Sequence, residues 1–330
     1  MPRFFVAIML LLLLGNIAGA AESADDSGVM TITAQRVKTA PSGLDDPVWG
    51  TIPASMVQVA GRLELADIQE FVSTKVIFTH DEIFFLISWD DPTKSTVKQS
   101  WRFDGENWSH LPGDEDRLAL LFEIGRIQQF ATKSCAVVCH SPADLPREQW
   151  KLATKTQAEM GDIWHWKAAR SAHYGYADDG WLTLAGNPSG SYRETGRRND
   201  AGEGGDVRNE EPGGMLPRYM FKNPPPAGEH GILLFEEAVP IDPSFAFKAG
   251  DVIPYRLPVL PKGSRFDVKA ESRHADGRWT VMLHRALQTG NADDVAFDTR
   301  KRYSFAMAVF DDSGADHSKA TRSLALEFRH

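Results

Sequence analysis

Trp279-Thr280-Val281-Met282-Leu283-His284 and, a few residues earlier, Arg265-Phe266-Asp267-Val268-Lys269-Ala270 alternate in character along the chain. A period of two sends successive side chains to opposite faces, so each run reads as a strand with one face toward a core. Between them lies Asp276-Gly277, a dipeptide suited to a tight hairpin turn. Working outward, similar short runs occur at Met30–Val37, Val72–Thr79, Ile83–Trp89, Leu118–Ile124, Ile232–Phe235, Tyr303–Phe310 and Ser323–Phe328. Turn residues such as His80-Asp81, Asp104-Gly105 and Asp312-Ser313-Gly314 punctuate them. Helical periodicity is scarce, with Pro146 to Met160 its best candidate. The pattern predicts a mainly all-β fold, an antiparallel β-sandwich interrupted by a helical or loop insertion.

The N-terminus predicts the compartment. Arg3 precedes an apolar run from Phe4 to Ile17, and Ala18-Gly19-Ala20 gives the small residues that signal peptidase requires. Residues 1–20 therefore read as a cleaved signal peptide, and residues 21–330 as one periplasmic domain without stable membrane insertion. Formal charge is −9. An acidic balance disfavours nucleic acid and anionic membranes as partners. A Gly-, Pro- and charge-rich stretch from 186 to 231 reads as a long loop.

The chain has two cysteines, both in Ser134-Cys135-Ala136-Val137-Val138-Cys139-His140. Two thiols followed by histidine suit covalent haem attachment, with Cys135 and Cys139 adding to the vinyl groups and His140 ligating iron. The spacing is C-x-x-x-C-H, one residue longer than the usual C-x-x-C-H. A Cys135–Cys139 disulfide is the rival reading in an oxidising compartment, and a zinc site, lacking a second cysteine pair, the weaker one.

Gly161-Asp162-Ile163-Trp164-His165-Trp166-Lys167-Ala168-Ala169-Arg170, with Gly175-Tyr176-Ala177-Asp178-Asp179, resembles the signature of the ethylbenzene dehydrogenase-type haem-binding family. Leu44-Asp45-Asp46-Pro47-Val48-Trp49 and Tyr303-Ser304-Phe305-Ala306-Met307-Ala308-Val309-Phe310-Asp311 resemble its two ends. The resemblance implies a β-sandwich with haem near one end and a role in electron transfer. It further implies a mono-haem cytochrome c exchanging electrons with a redox partner protein, a molybdoenzyme or another cytochrome, rather than an enzyme.

Such a haem needs a second axial ligand. His317 is the first candidate, at roughly the place where relatives carry a ligating lysine, and Met220 in Pro217-Arg218-Tyr219-Met220 is the alternative. His173 and Met160 rank below them. Strand alternation sets Trp164 and Trp166 on one face and His165 and Lys167 on the other. The tryptophans would wall the porphyrin and Lys167 or Arg170 would pair a propionate. Ordinary core packing of the tryptophans and a solvated His165 are the plain alternatives. Acidic pairs such as Asp311-Asp312 read as solvated turn charge. No nucleophile elbow or phosphate-binding glycine loop occurs. The competing functions are a haem-based sensor and a non-haem β-sandwich binding protein with a plain disulfide.

Overall fold

The computed structural model describes residues 28–61, 69–138, 152–187, 195–225, 231–314 and 317–330. The expected signal peptide lies outside them, as do Cys139 and His140.

Thirteen strands form the main sheet. The first four are β1 (Val29–Arg36), β2 (Ser55–Ala60), β3 (Gln69–Phe78) and β4 (Glu82–Asp90). Next come β5 (Arg117–Gly125), β6 (Met160–Lys167), β7 (Asp178–Asn187) and β8 (Thr195–Asn199). The last five are β9 (Lys269–Ala275), β10 (Arg278–Ala286), β11 (Tyr303–Phe310), β12 (Ser318–Ala320) and β13 (Ser323–Arg329). Their order is β8-β7-β6-β5-β11-β12-β2-β3-β4-β10-β9, and β13 and β1 make a second bridge from β11 to β3. Pairing is antiparallel except that β1 runs parallel to both β13 and β3.

The layer β8-β7-β6-β5-β11 packs face to face on β2-β3-β4-β10-β9. Phe85 of β4 meets Trp164 of β6 with ring centroids 5.7 Å apart, and Trp89 of β4 meets Trp166 at 6.2 Å. Trp166 also meets Trp279 of β10 at 4.9 Å. These rings, with Val76, Ile87, Phe122, Val281, Leu283 and Phe305, form the main core. Aromatic pairs in edge-on geometry bury large apolar area, and that burial holds the layers together. At the β9–β10 hairpin Asp276 and Gly277 have φ of 53° and 67°, the left-handed pair of a primed turn whose twist suits a two-residue connection.

Three expectations are corrected here. The stretch 186–231 is not one long loop: it holds β8 and the strands Gly202–Arg208 and Tyr219–Phe221, which pair with Arg256–Gly263 and Ala238–Pro240. In Pro146 to Met160 the described part, from Leu152, is not helical; Leu152 and Thr154 bridge to Thr195 and Leu184. Ile232–Leu234 is not a strand, and Phe235–Glu237 is a 3-10 turn.

Candidate functional site

Alternation in β6 divides its side chains as the sequence implies. Trp164 and Trp166 enter the main core, fully buried. Ile163, His165 and Lys167 take the opposite, outer face. Cross-strand register then fixes their neighbours. Arg117 of β5 stands opposite both Lys167 and Phe310 of β11, and Ala119 opposite both His165 and Ala308. Leu121 stands opposite Ile163 and Ala306. The outer face is therefore graded. One end is apolar, the middle carries two alanines, and the other end carries cations and aromatic rings.

The apolar end is covered by the segment after β5. Leu121, Ile163, Leu182 and Ala306 form a second apolar cluster with Ile127, Phe130, Cys135, Val137 and Val138. Two residues of this cover have left-handed backbone, Gln129 (φ 65°) and Ser134 (φ 54°). Such conformations cost on the order of 1–3 kcal/mol in a non-glycine residue. They end the short helix Phe130–Lys133 and turn Cys135 inward, where it is buried.

At the polar end, ion pairs form a chain. Lys167 pairs with Asp178, which also accepts from Arg265 Nε at 2.6 Å. Glu115 accepts from Arg170 Nε at 2.6 Å, and Arg170 reaches Asp206, which Arg256 holds at 2.9 Å. Asp114 pairs with both Lys98 and Arg117. Arg197 is the exception. Among the described residues no carboxylate lies within ion-pair distance of its guanidinium, and the residue is half-buried. It is placed there because β8 closes tightly on β7: a Cβ on Gly196 would sit 1.7 Å from the Thr183 carbonyl oxygen, so only glycine fits. Arg197 consequently stands opposite Leu182, on the outer face.

His165 is the centre of this surface. It is 6% exposed, its Nε2 is buried without a hydrogen-bond partner, and its ring lies 5.8 Å from that of Phe310. Burial first, and then the charges of Arg197, Lys167, Arg117 and Arg170, hold its pKa well below the ordinary histidine value. The imidazole is neutral at physiological pH. Burial pushes Lys167 down to about 7, against the pull of Asp178. Asp178 itself is kept ionised: burial opposes its charge, but Lys167 and Arg265 hold its carboxyl below the ordinary range. The surface thus joins an apolar floor to a neutral, unsatisfied imidazole and a concentration of cations. That set of groups recognises an anion carried on an apolar body.

The two alternative second ligands, His317 and Met220, lie in different parts of the fold, and His140 lies outside the described residues. The ring of His317 lies 4.7 Å from Phe310, at the edge of the outer face. Met220 belongs to a different cluster, packed with Trp101 and Ile253. Arg170 is committed to Glu115 and Asp206. Arg117, Arg197 and Phe310 carry no local sequence signal that marks them. They become neighbours of His165 only through strand register and the β7–β8 contact.

Comparisons with known proteins follow from this geometry. The family model described as "Ethylbenzene dehydrogenase" matches residues 46–322. No curated protein matches the chain. A carbohydrate-binding module of family 9 from Caldicellulosiruptor kristjanssonii, solved with glucose, shares 7% identity over 91% of this chain and 95% of that one, with a TM-score of 0.39. The same kind of module solved with cellotriose gives 7% identity, 91% and 93% coverage and a TM-score of 0.37. A candidate carbohydrate-binding protein from Bacteroides uniformis gives 8%, 91% and 99%, with a TM-score of 0.39.

The cytochrome expectation is corrected at this point. The chain has no C-x-x-C-H run: its two cysteines are spaced C-x-x-x-C before His140. Haem c on Cys135, Cys139 and His140, with iron held by His140 and His317 or Met220, is therefore set aside, and electron transport with it. Physically, Cys135 packs into an apolar cluster and Met220 into a separate one. Trp164 and Trp166 spend their faces on the inter-sheet core, which accounts for both without a porphyrin.

Proposed function

This chain belongs to the ethylbenzene dehydrogenase family and folds as an antiparallel β-sandwich, and we propose that it is a non-haem binding module. Its ligand is a small molecule with an apolar or aromatic body and a carboxylate, seated on the outer face of β5, β6 and β11. The observation that carries this reading is the buried, unsatisfied Nε2 of His165 within the field of Arg197, whose guanidinium has no carboxylate in ion-pair distance among the described residues. A buried polar atom without a partner costs about 1–3 kcal/mol, and a ligand that supplies the partner recovers it. The carboxylate would take Arg197 and Lys167, and the apolar body would lie over Ala119 and Ala308. Cys135 and Cys139 would form a disulfide that closes the cover over this face, in keeping with the export expected from Arg3, Phe4 to Ile17 and Ala18-Gly19-Ala20.

Calorimetric titration with a panel of aromatic and aliphatic carboxylates, set against cellotriose, tests the reading. Saturable carboxylate binding that Arg197→Ala weakens by roughly ten- to a hundredfold is expected, the loss of one charged hydrogen bond. Cellotriose binding indifferent to Arg197→Ala, or no carboxylate binding at all, would overturn it.

A further inference from the structure

Among the described residues three sets of three aspartates bring one carboxylate oxygen each to within 4.8 Å of the others; Asp200, Asp293 and Asp294 share Asp294 with one of the other two, and those two are neutralised differently. In the first, Asp162, Asp179 and Asp294 surround Arg285. Its guanidinium reaches their oxygens at 2.7, 3.0 and 3.1 Å. In the second, Asp91, Asp116 and Asp311, no lysine or arginine among the described residues comes within ion-pair distance. The two sets pose the same electrostatic problem, and the chain supplies its own cation to only one.

Topology creates the second set. Asp91 follows β4, Asp116 precedes β5 and Asp311 follows β11, so three strand ends from both layers of the sandwich meet at one edge. Asp116 is fully buried and held rigid. Its Oδ1 accepts from the Asp312 amide at 3.1 Å, and its Oδ2 from the Ser95 amide at 2.7 Å and Trp279 Nε1 at 2.9 Å. Asp91 is 2% exposed. Its Oδ1 accepts from the amide and hydroxyl of Thr93, but its Oδ2 is buried with no hydrogen-bond partner. Asp311 is exposed and gives the group a side open to solvent. Glu70 of β3 adds further negative charge near Asp91 and Asp311. A carboxylate that belongs to a cluster of three and keeps a buried oxygen with no donor calls for a cation.

We propose that Asp91, Asp116 and Asp311 bind a divalent cation of the calcium class. The donors are all carboxylate oxygens, with no imidazole or thiolate, which selects a hard ion. Calcium–oxygen distances of about 2.3–2.6 Å make its shell about 5 Å across, which accommodates oxygens within 4.8 Å of one another. The ion ties β4, β5 and β11 together at the edge next to the proposed ligand face, since Arg117 and Phe310 are the chain neighbours of two of its ligands.

Terbium, a calcium substitute that emits when a nearby tryptophan is excited, is the probe, with Trp279 as the built-in donor bonded to Asp116. The mature protein at neutral pH should give sensitised terbium emission that calcium displaces. Asp311→Asn removes an exposed ligand without disturbing the core, and should weaken terbium at least tenfold and abolish the rise in melting temperature that calcium gives the native protein. Circular dichroism of that variant confirms that it is folded. Absence of sensitised emission from the native protein overturns the proposal, and so does emission that Asp311→Asn leaves unchanged.

Discussion

His165 stands directly opposite Asp178 across the β6–β7 pair, yet Asp178 gives its carboxylate to Lys167 and Arg265 and none of it to the imidazole. A histidine facing a carboxylate ordinarily gains a proton. Here the carboxylate is spent on two neighbours, and the imidazole is left among cations. This arrangement keeps a buried polar atom available at the centre of the outer face.

The protonation of His165 is therefore displaced in a known direction. Burial and the charges of Arg197 and Lys167 favour the neutral ring in the folded chain, whereas the unfolded chain takes up a proton near pH 6.5. The unfolded state binds more protons below that pH, so His165 costs stability as pH falls through about 6.5. Nitrogen-15 spectra of the histidine rings should show His165 still neutral at pH values where an ordinary histidine is protonated, and His165→Phe should flatten the acid limb of the stability curve. An imidazole that titrates at its ordinary value would remove the basis for the site.

Lys167 should give ligand binding its pH dependence. Burial places its pKa at about 7, so acidification from about pH 8 to 6 charges the amine and raises the positive potential of the face. Carboxylate affinity should strengthen over that interval, and Lys167→Met should abolish the change while Arg265 continues to hold Asp178. Calorimetry at the two pH values reads the result. Equal pH dependence in the variant would assign the titrating group elsewhere.

The strands that could be read from the sequence are those whose two faces meet different surroundings. Tyr303–Phe310 matches β11 residue for residue, and Trp279–Arg285 lies within β10, because one face of each packs into the core. Gly202–Arg208 was illegible for the opposite reason. Its glycines and charges look like loop, but a Cβ on Gly204 would come within 2.4 Å of the Leu260 carbonyl oxygen, so glycine is what permits the pairing. The division of Trp164 and Trp166 from His165 and Lys167 followed from period two alone. What the outer face binds did not, since Arg117, Arg197 and Phe310 reach His165 only through register. Asp311 looked like solvated turn charge, and its exposure agrees. Nothing local links it to Asp91 and Asp116 on two other strand ends.

Asp200 offers a test at the other acidic edge. It is 4% exposed, and burial together with Asp294 and Asp293 pushes its pKa up to about 8. The folded chain then holds a proton at neutral pH that the unfolded chain releases near 4. A raised carboxyl pKa contributes stability that is fully present below the unfolded value and is lost as pH rises through the folded one, at up to about 1.4 kcal/mol per pH unit. Asp200→Asn keeps the shape of the protonated carboxyl. It should match the native protein near pH 4 and exceed its urea midpoint at pH 9. Parallel curves for the two proteins across that range would show that Asp200 carries no buried proton.

Arg285 should be the most costly single charge to remove. It is 1% exposed, lies 4.7 Å over the Trp164 ring inside the sandwich, and bonds Asp162 and Asp179 from the adjoining strands β6 and β7. Burial pushes both carboxyls up in spite of Arg285, so they stay ionised only as far as this guanidinium allows. Arg285→Met leaves them facing one another and Asp294 in a dry interior. Removing one partner of a buried pair costs about 3–5 kcal/mol, whereas replacing the whole set with neutral groups can cost little. The single variant should therefore unfold at much lower urea at pH 7 and recover part of the loss near pH 5, as the stranded carboxyls take up protons. Adding Asp162→Asn and Asp179→Asn to Arg285→Met should restore most of the stability without acidification. If Arg285→Met loses less than about 1 kcal/mol, or the triple variant is weaker than the single one, the interior is not held by charge balance, and the contrast with Asp91, Asp116 and Asp311 loses its physical basis.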